Sequence, residues 1–227
     1  MVSLMQRRRE MMRLATTPPT PRVPTGYTEV QYIQRRDSAG ESSGYNTLFQ
    51  PNGTDTLLIH IGVMLTKAPS SSSGGYFLGC RQNNSGNTVG FGVYASQDCK
   101  SLGTFDGTAC AIQPNGGSSI LNTKVELVVT KTNPGLSITD GTHSNTTSGT
   151  PRAMADALRV FGIKKYNSSN SNLPVWGRIY YCKIWEGGVL KTDLIPCTRD
   201  ADSANGFWDA AVETFRTSTV YDAGPTV

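Results

Sequence analysis

The chain has 227 residues, enough to bury one substantial core, and only 17% of them are charged, while 24 are Gly. Apolar runs separated by Ser, Thr, Asn and Gly describe many short strands joined by turns and exclude long amphipathic helices beyond the N-terminus. The net charge of +4 is mostly local: Arg7, Arg8, Arg9 and Arg13 less Glu10 leave +3 in the first fifteen residues, so the balanced remainder excludes a nucleic-acid-binding body.

Residues 1–24 read as a unit of their own. Met1, Leu4, Met5, Met11, Met12 and Ala15 fall near one side of a helix predicted from Ser3, a plausible N-cap, to about Ala15. Thr16-Thr17-Pro18-Pro19-Thr20-Pro21 then forbids helix and favours an extended spacer. Arginines in the middle of the segment argue against a cleaved signal peptide, which would keep its basic residues ahead of an uninterrupted apolar stretch. A disordered tail is the plain alternative. The functional reading is a docking arm in which Leu4, Met5, Met11 and Met12 meet an apolar groove on another protein while Arg7, Arg8 and Arg9 meet acidic groups there.

From residue 25 to 227 the pattern is that of a single β-sandwich domain. Tyr27 to Ile33 alternates as a first strand, and Leu57 to Leu65 is the cleanest one, with Leu57, Ile59, Ile61, Val63 and Leu65 on one face. His60, on the other face among apolar neighbours, reads as a structural histidine. Tyr76 to Cys80 and Val89 to Ala95 follow, on either side of the polar turn Arg81 to Thr88. Ser96 to Pro114 reads as an irregular surface excursion. Lys124 to Thr130 and Leu136 to Thr139 resume the alternation, the polar stretch Gly141 to Pro151 interrupts it, and Leu158 to Ile163 is a further strand before the polar loop Tyr166 to Leu173.

Trp176 to Pro196 is predicted as a hairpin turning at Glu186-Gly187-Gly188, where adjacent glycines supply positive φ. Strict alternation would put Tyr180, Cys182 and Ile184 on one face and Ile179, Tyr181, Lys183 and Trp185 on the other, with Pro196 closing the second strand. Gly206 to Asp209, a turn and Thr214 to Arg216 end the pattern. The ten to twelve strand candidates, with no helices between them, give two packed antiparallel sheets.

Chemistry is sparse. Glu126, Glu186 and Asp193 are isolated, with no alternating acidic run to present the paired carboxylates of a glycosidase. His60 and His143 have no G-x-S-x-G elbow, and no phosphate-binding glycine loop precedes a helix. Asp98, Asp106 and Asp140 offer oxygens for calcium but do not cluster in sequence, so neither a metal nor another cofactor is expected. The five cysteines, Cys80, Cys99, Cys110, Cys182 and Cys197, show no C-x-x-C pair. Cys99 and Cys110 could pair in an oxidising setting, but the odd total and the absence of a secretory signal favour free, partly buried thiols. No apolar run approaches the roughly 20 residues of a membrane span. A non-enzymatic binding role is the expectation. Tyr94, Tyr166 and Trp176 are the candidate glycan-stacking aromatics, whereas Trp185 and Trp208 are assigned to the core.

Three blocks carry a resemblance: YTEVQYIQ at 27–34, GRIYYCKIWEGGVLKTDLIPCTR at 177–199 and GFWDAAVETF at 206–215, followed by a late DAG. Together they resemble laminin-G-like, concanavalin A-like jelly-roll domains frequent in structural proteins of phages and prophages of gut bacteria. The basic leader resembles the short N-terminal segment of many such proteins. The likeness runs from Gly26 to Gly224 and departs at Arg35 to Asn46, where members carry a segment like STGTQYIDTG, and at the WEGG turn. It implies an all-β, antiparallel two-sheet jelly-roll sandwich with a short N-terminal helical arm. It also implies a virion component, such as a capsid decoration, head-fibre or tail-associated protein, assembled in the bacterial host cytoplasm. Its partners would be other virion proteins held by the arm and host-surface or mucosal glycans, and a homo-oligomer is the expected state. The alternative is a secreted or cell-surface carbohydrate-binding module or an inactive glycanase-like protein.

Overall fold

The computed structural model describes residues 22–36, 46–81, 89–148, 154, 156–164 and 171–227. The predicted helix from Ser3 to Ala15, with arm residues Leu4, Met5, Arg7, Arg8, Arg9, Met11 and Met12, lies outside these, as do Tyr166 and residues 37–45 of the Arg35 to Asn46 departure. Among the described residues the regular structure is all β. In chain order the strands are β1 (Tyr27–Glu29), β2 (Ile33–Arg35), β3 (Asn46–Thr47), β4 (Leu57–Lys67), β5 (Gly75–Arg81), β6 (Val89–Ala95), β7 (Leu102–Asp106), β8 (Thr108–Ile112), β9 (Lys124–Thr132) and β10 (Gly135–Thr139). There follow β11 (Ser144–Thr147), β12 (Arg159–Val160), β13 (Ile163–Lys164), β14 (Ser171–Asn172), β15 (Trp176–Glu186), β16 (Val189–Arg199), β17 (Ala204–Asp209), β18 (Thr214–Thr217) and β19 (Tyr221–Ala223).

Two antiparallel sheets face each other. The main sheet runs β11-β10-β9-β4-β15-β16-β17-β18, with β1, β2 and β19 attached, and the second runs β3-β12-β5-β6-β7-β8. Between them Leu57, Ile59, Ile61, Val63 and Leu65 of β4 are at most 1% exposed, so the period-2 face predicted for this strand is the core face. It meets Phe77, Phe91, Val93 and Leu102 of the second sheet in one continuous cluster. Each such aliphatic or aromatic side chain contributes about 1.5–3 kcal/mol by leaving water.

The Gly187–Gly188 turn is as predicted. Glu186 pairs with Val189 across a two-residue loop whose φ values are 55° and 81°, the mirror-image turn that suits right-twisted strands. Past it the alternation breaks. Ile179 pairs with Val63 but Tyr181 with Gly62, so Tyr180 is an extra residue in β15. That bulge puts Ile179 and Cys182, expected on opposite faces, both in the core at 0% exposure, and leaves Tyr180 and Tyr181 half-buried.

Beyond Cys182 the hairpin opens like a fork. The predicted single strand at Tyr27–Ile33 divides to fill it: β1 pairs with β16 at Cys197–Arg199 and β2 pairs with β15 at Arg178–Ile179. Pro196 therefore does not end its strand; β16 continues through it to Arg199. The Pro196 carbonyl accepts the Val30 N–H at 3.0 Å, so the proline sits at the break between β1 and β2, where only the reciprocal bond from its ring nitrogen is missing. The region expected to be irregular, Ser96 to Pro114, contains β7 and β8. The polar stretch after Gly141 contains β11, and Leu158 to Ile163 is two short strands kinked at Phe161 (φ 62°). Trp185 and Trp208 are not between the sheets. Both are half-buried on the outer face of the main sheet, Trp185 edge-on to His60 at 5.1 Å and Trp208 against Tyr27 and Phe215.

Candidate functional site

The outer face of the second sheet is built from alternating small and aromatic residues. Phe91, Val93 and Ala95 of β6 point into the core, which turns Gly92 and Tyr94 outward. Across the sheet Tyr76 pairs with Tyr94, Tyr94 with Gly103, and Gly103 with Ala111. The two tyrosines lie over their neighbours' backbones. A Cβ at Gly92 would sit 2.4 Å from Tyr76 Cδ1, and one at Gly103 would sit 2.6 Å from Tyr94 Cζ. The ring centroids are 5.6 Å apart, and Phe105, Ile163 and Leu173 complete the patch. Burial, followed by the facing Tyr94, pushes the Tyr76 hydroxyl well above the usual phenol range. Tyr94 is shifted the same way by burial and then by Cys110, but it keeps part of its ring in solvent.

Tyr94 leads to a polar cleft. Strands lie about 4.8 Å apart, so Ala111 is two strands and about 10 Å from Tyr94's own backbone, and the ring over Gly103 bridges half of that. Ala111 lines an open cleft of about 520 Å³ together with Ser101, Ile112, Gln113, Gly116, His143, Ser144 and Asn145. It lies at the seam of the two sheets, where the Asn145 Nδ2 donates to the Ala111 carbonyl of β8 at 2.8 Å.

The β10–β11 turn holds His143 in place. Asp140 Oδ1 accepts the backbone N–H groups of Thr142 at 2.8 Å and His143 at 2.6 Å, and Asp140 Oδ2 lies 3.0 Å from His143 Nδ1. Thr139 Oγ1 donates to the His143 carbonyl at 2.8 Å. Burial alone would raise the Asp140 carboxyl, but the hydrogen bonds from the His143 backbone and ring and from the Thr142 N–H outweigh it, and the group lies below its ordinary range. The carboxylate keeps the imidazole proton on Nδ1, so in the neutral ring Nε2 is an acceptor. A cleft with an amide, hydroxyls and an oriented imidazole, and a half-exposed aromatic two strands away on the same sheet, suits an extended polyhydroxylated ligand with apolar ring faces. A second hollow of about 310 Å³, at the β9–β10 turn, is lined by Thr, Ser, Gly, Pro and Leu and offers no aromatic surface.

Of the sequence candidates, Tyr94 lies on the sheet face that leads to this cleft, outside its lining. Trp176 does not. It is 5% exposed at the start of β15, with the Lys67 ammonium 4.8 Å and the Arg35 guanidinium 5.5 Å from its ring centroid, so cations occupy the surface a sugar would need. Tyr76, Phe105, His143 and Asn145 were not singled out as binding residues. The local signal for the first two was a nearby glycine, Gly75 before Tyr76 and Gly103 two residues before Phe105; nothing local marked the others. Asp98, Asp106 and Asp140 are each engaged within the protein, by Ser96 and Lys100, by Lys131 and by His143 respectively.

No protein-family model matches the chain, and no curated protein is similar to it. Solved structures do align. The native heptameric SAP-like pentraxin from Limulus polyphemus is 10% identical, with a TM-score of 0.51 over 87% of this chain and 95% of that one. The full extracellular region of zebrafish Gpr126/Adgrg6 is 13% identical with a TM-score of 0.45, over 87% of this chain and 27% of that one. Trypanosoma rangeli sialidase in complex with 2,3-difluorosialic acid is 13% identical with a TM-score of 0.39, over 80% and 36%. The near end-to-end alignment with the pentraxin establishes the fold of this chain, a laminin-G-like, concanavalin A-like jelly roll.

Proposed function

We propose that this chain is a glycan-binding structural component of a phage particle, carried by its N-terminal leader and presenting the jelly roll outward. The binding reading rests on one observation, the continuous surface from Tyr94 over Gly103 and Ala111 to the cleft of Asn145 and His143. An oligosaccharide would stack one sugar on Tyr94 and place the hydroxyls of the next against Gln113, Ser144, Asn145 and His143 Nε2. The particle reading is supported by the leader and the three sequence blocks; the fold by itself does not carry it. Binding without turnover is the proposed mode. The ionisable side chain lining the cleft, His143, is hydrogen-bonded to Asp140 behind it, whereas a glycosidase needs two carboxyl groups across the scissile bond.

A glycan array probed with the intact protein tests the binding reading. The expected result is retention of a restricted set of glycans, with Tyr94→Ala weakening the best of them about tenfold, or roughly 1.4 kcal/mol. Binding that is indifferent to Tyr94→Ala and Asn145→Ala would overturn the site. Recovery of leader-deleted and full-length protein on assembled particles tests the particle reading, and equal incorporation would count against it. A secreted carbohydrate-binding module would retain the array result and show no particle association.

A further inference from the structure

The hollow at the β9–β10 turn and the cleft at the seam of the sheets share one strand. Residues 143–145 line the cleft and residues 146–148 the hollow, so β11, at the edge of the main sheet, walls both. Leu136 and Ile138 of β10 and Val129 of β9 are buried in the core, which turns Ser137, Thr139 and Thr130 to the outer face. Ser144 lies opposite Thr139, and Thr146 lies opposite Ser137, which is in turn opposite Thr130. Ser144 and Thr146 therefore stand on that same face, about 7 Å apart along the strand. Both are exposed, one in the cleft and the other in the hollow, so the two depressions adjoin over β11. Asn145, between them, turns the other way to the Ala111 carbonyl.

The lining carries no fixed charge. Among the described residues that border the cleft or the hollow, none is Asp, Glu, Lys or Arg. The nearby charges are engaged elsewhere: Asp140 with the His143 backbone and ring, Asp98 with Ser96 and Lys100, and Lys131 inward with Asp106. On the outer face of β9 Glu126 is ion-paired with Lys124. It lies four residues from Thr130, about 13 Å along the strand. Hydroxyls, two side-chain amides and one imidazole are left to meet a ligand. From His143 to Ser148 this polar wall runs about 17 Å, and a single sugar ring covers only part of it.

We infer that the cleft and the hollow form one extended site along β11, whose ligand is a run of several uncharged sugars within a polysaccharide rather than a single terminal sugar. The inference rests on the glycan-binding reading and adds the length and charge of the ligand. An acidic sugar would lose water there without meeting a Lys or Arg. Each hydroxyl contact contributes little by itself, so affinity accumulates with the number of sugars held.

An array of linear uncharged glucans, mannans, galactans and xylans, graded from disaccharide to octasaccharide and printed beside acidic glycans, tests this with the intact protein. The best uncharged series is expected to bind about tenfold more tightly as the hexasaccharide than as the disaccharide. The double variant Ser137→Ala/Thr146→Ala, on the solvent face of the sheet, should remove most of that gain and leave disaccharide binding and thermal unfolding unchanged. Asn145→Ala should weaken both lengths, and added salt should weaken neither. Equal binding of the two lengths, or hexasaccharide binding indifferent to the double variant, would overturn the extended site and leave a short-glycan reading standing. Binding confined to acidic glycans would likewise overturn the inference without overturning glycan binding. Absence of binding to every glycan would overturn the inference together with the reading beneath it.

Discussion

Lys131 of β9 and Asp106 of β7 meet inside the sandwich, with the ammonium nitrogen 3.6 Å from the carboxylate and neither side chain in appreciable contact with solvent. Lys131 also donates to the Gly53 carbonyl at 3.2 Å, so one buried cation ties both sheets and a connecting segment together. Removing one partner strands the other charge. Asp106→Ala or Lys131→Met is therefore expected to lower unfolding free energy by about 3–5 kcal/mol. Replacing both by apolar residues of similar volume should recover most of that loss. Urea unfolding of the two single variants and the double variant measures the coupling, and additive losses would show that the pair does not act as a unit.

Gly92 and Gly103 both lie under tyrosine rings, but their surroundings predict different outcomes. At Gly103 a methyl group meets only the far end of Tyr94, which can swing away. At Gly92 it also meets the Leu78 backbone carbonyl at 2.8 Å, which cannot. Gly103→Ala is expected to cost little stability and to weaken any ligand held by Tyr94, whereas Gly92→Ala should cost about 1–3 kcal/mol. Thermal unfolding and binding measured on the same preparations separate the two.

The Asp140 carboxyl is held below its ordinary range, so its contribution to stability is fully present above the unfolded value of about 3.9 and is lost as pH falls through the folded value. The wild type should exceed Asp140→Asn in stability by about 1 kcal/mol at pH 6. The difference should shrink toward zero in strong acid. Unfolding curves collected from pH 6 down to pH 2 check the sign, and a gap that widens with acid would refute it.

The five cysteines are buried as free thiols. Burial is the first cause that pushes Cys80 and Cys197 up to about 12, which leaves almost no thiolate near neutrality. Alkylation by iodoacetamide at pH 8 is expected to leave the native protein unmodified over an hour and to modify five sites in denaturant. Intact-mass measurement reads both results. A thiol that labels quickly in native buffer would mark a local opening that the fold does not show.

Patterns set by neighbours in sequence were legible in the sequence. Burying one face of a strand imposes a period of two, so Leu57 to Leu65 and Lys124 to Thr130 announced themselves, and the Gly187–Gly188 turn did so because it needs positive φ at two successive residues. β7 and β8 were not legible, because their outward residues mix Gly103, Ala109 and Ala111 with Phe105, while two inward residues of β7, Thr104 and Asp106, are polar. Strands with so little apolar contrast look irregular until the Tyr94 ring, supplied by the adjacent strand, covers one of them.

The same division holds for the site. Tyr94 could be named as an aromatic candidate from composition, but its selection over Trp176 required knowing that Arg35 and Lys67 close over the indole. His143 and Asn145 come to the cleft from about fifty residues further along the chain, because β11 of one sheet meets β8 of the other at the seam. The bulge at Tyr180 and the fork that admits β1 and β2 are likewise settled by which strands lie side by side. Local alternation and turn chemistry are short-range and are written into successive residues. Strand order, register and the meeting of distant side chains emerge only when whole faces compete for a common core.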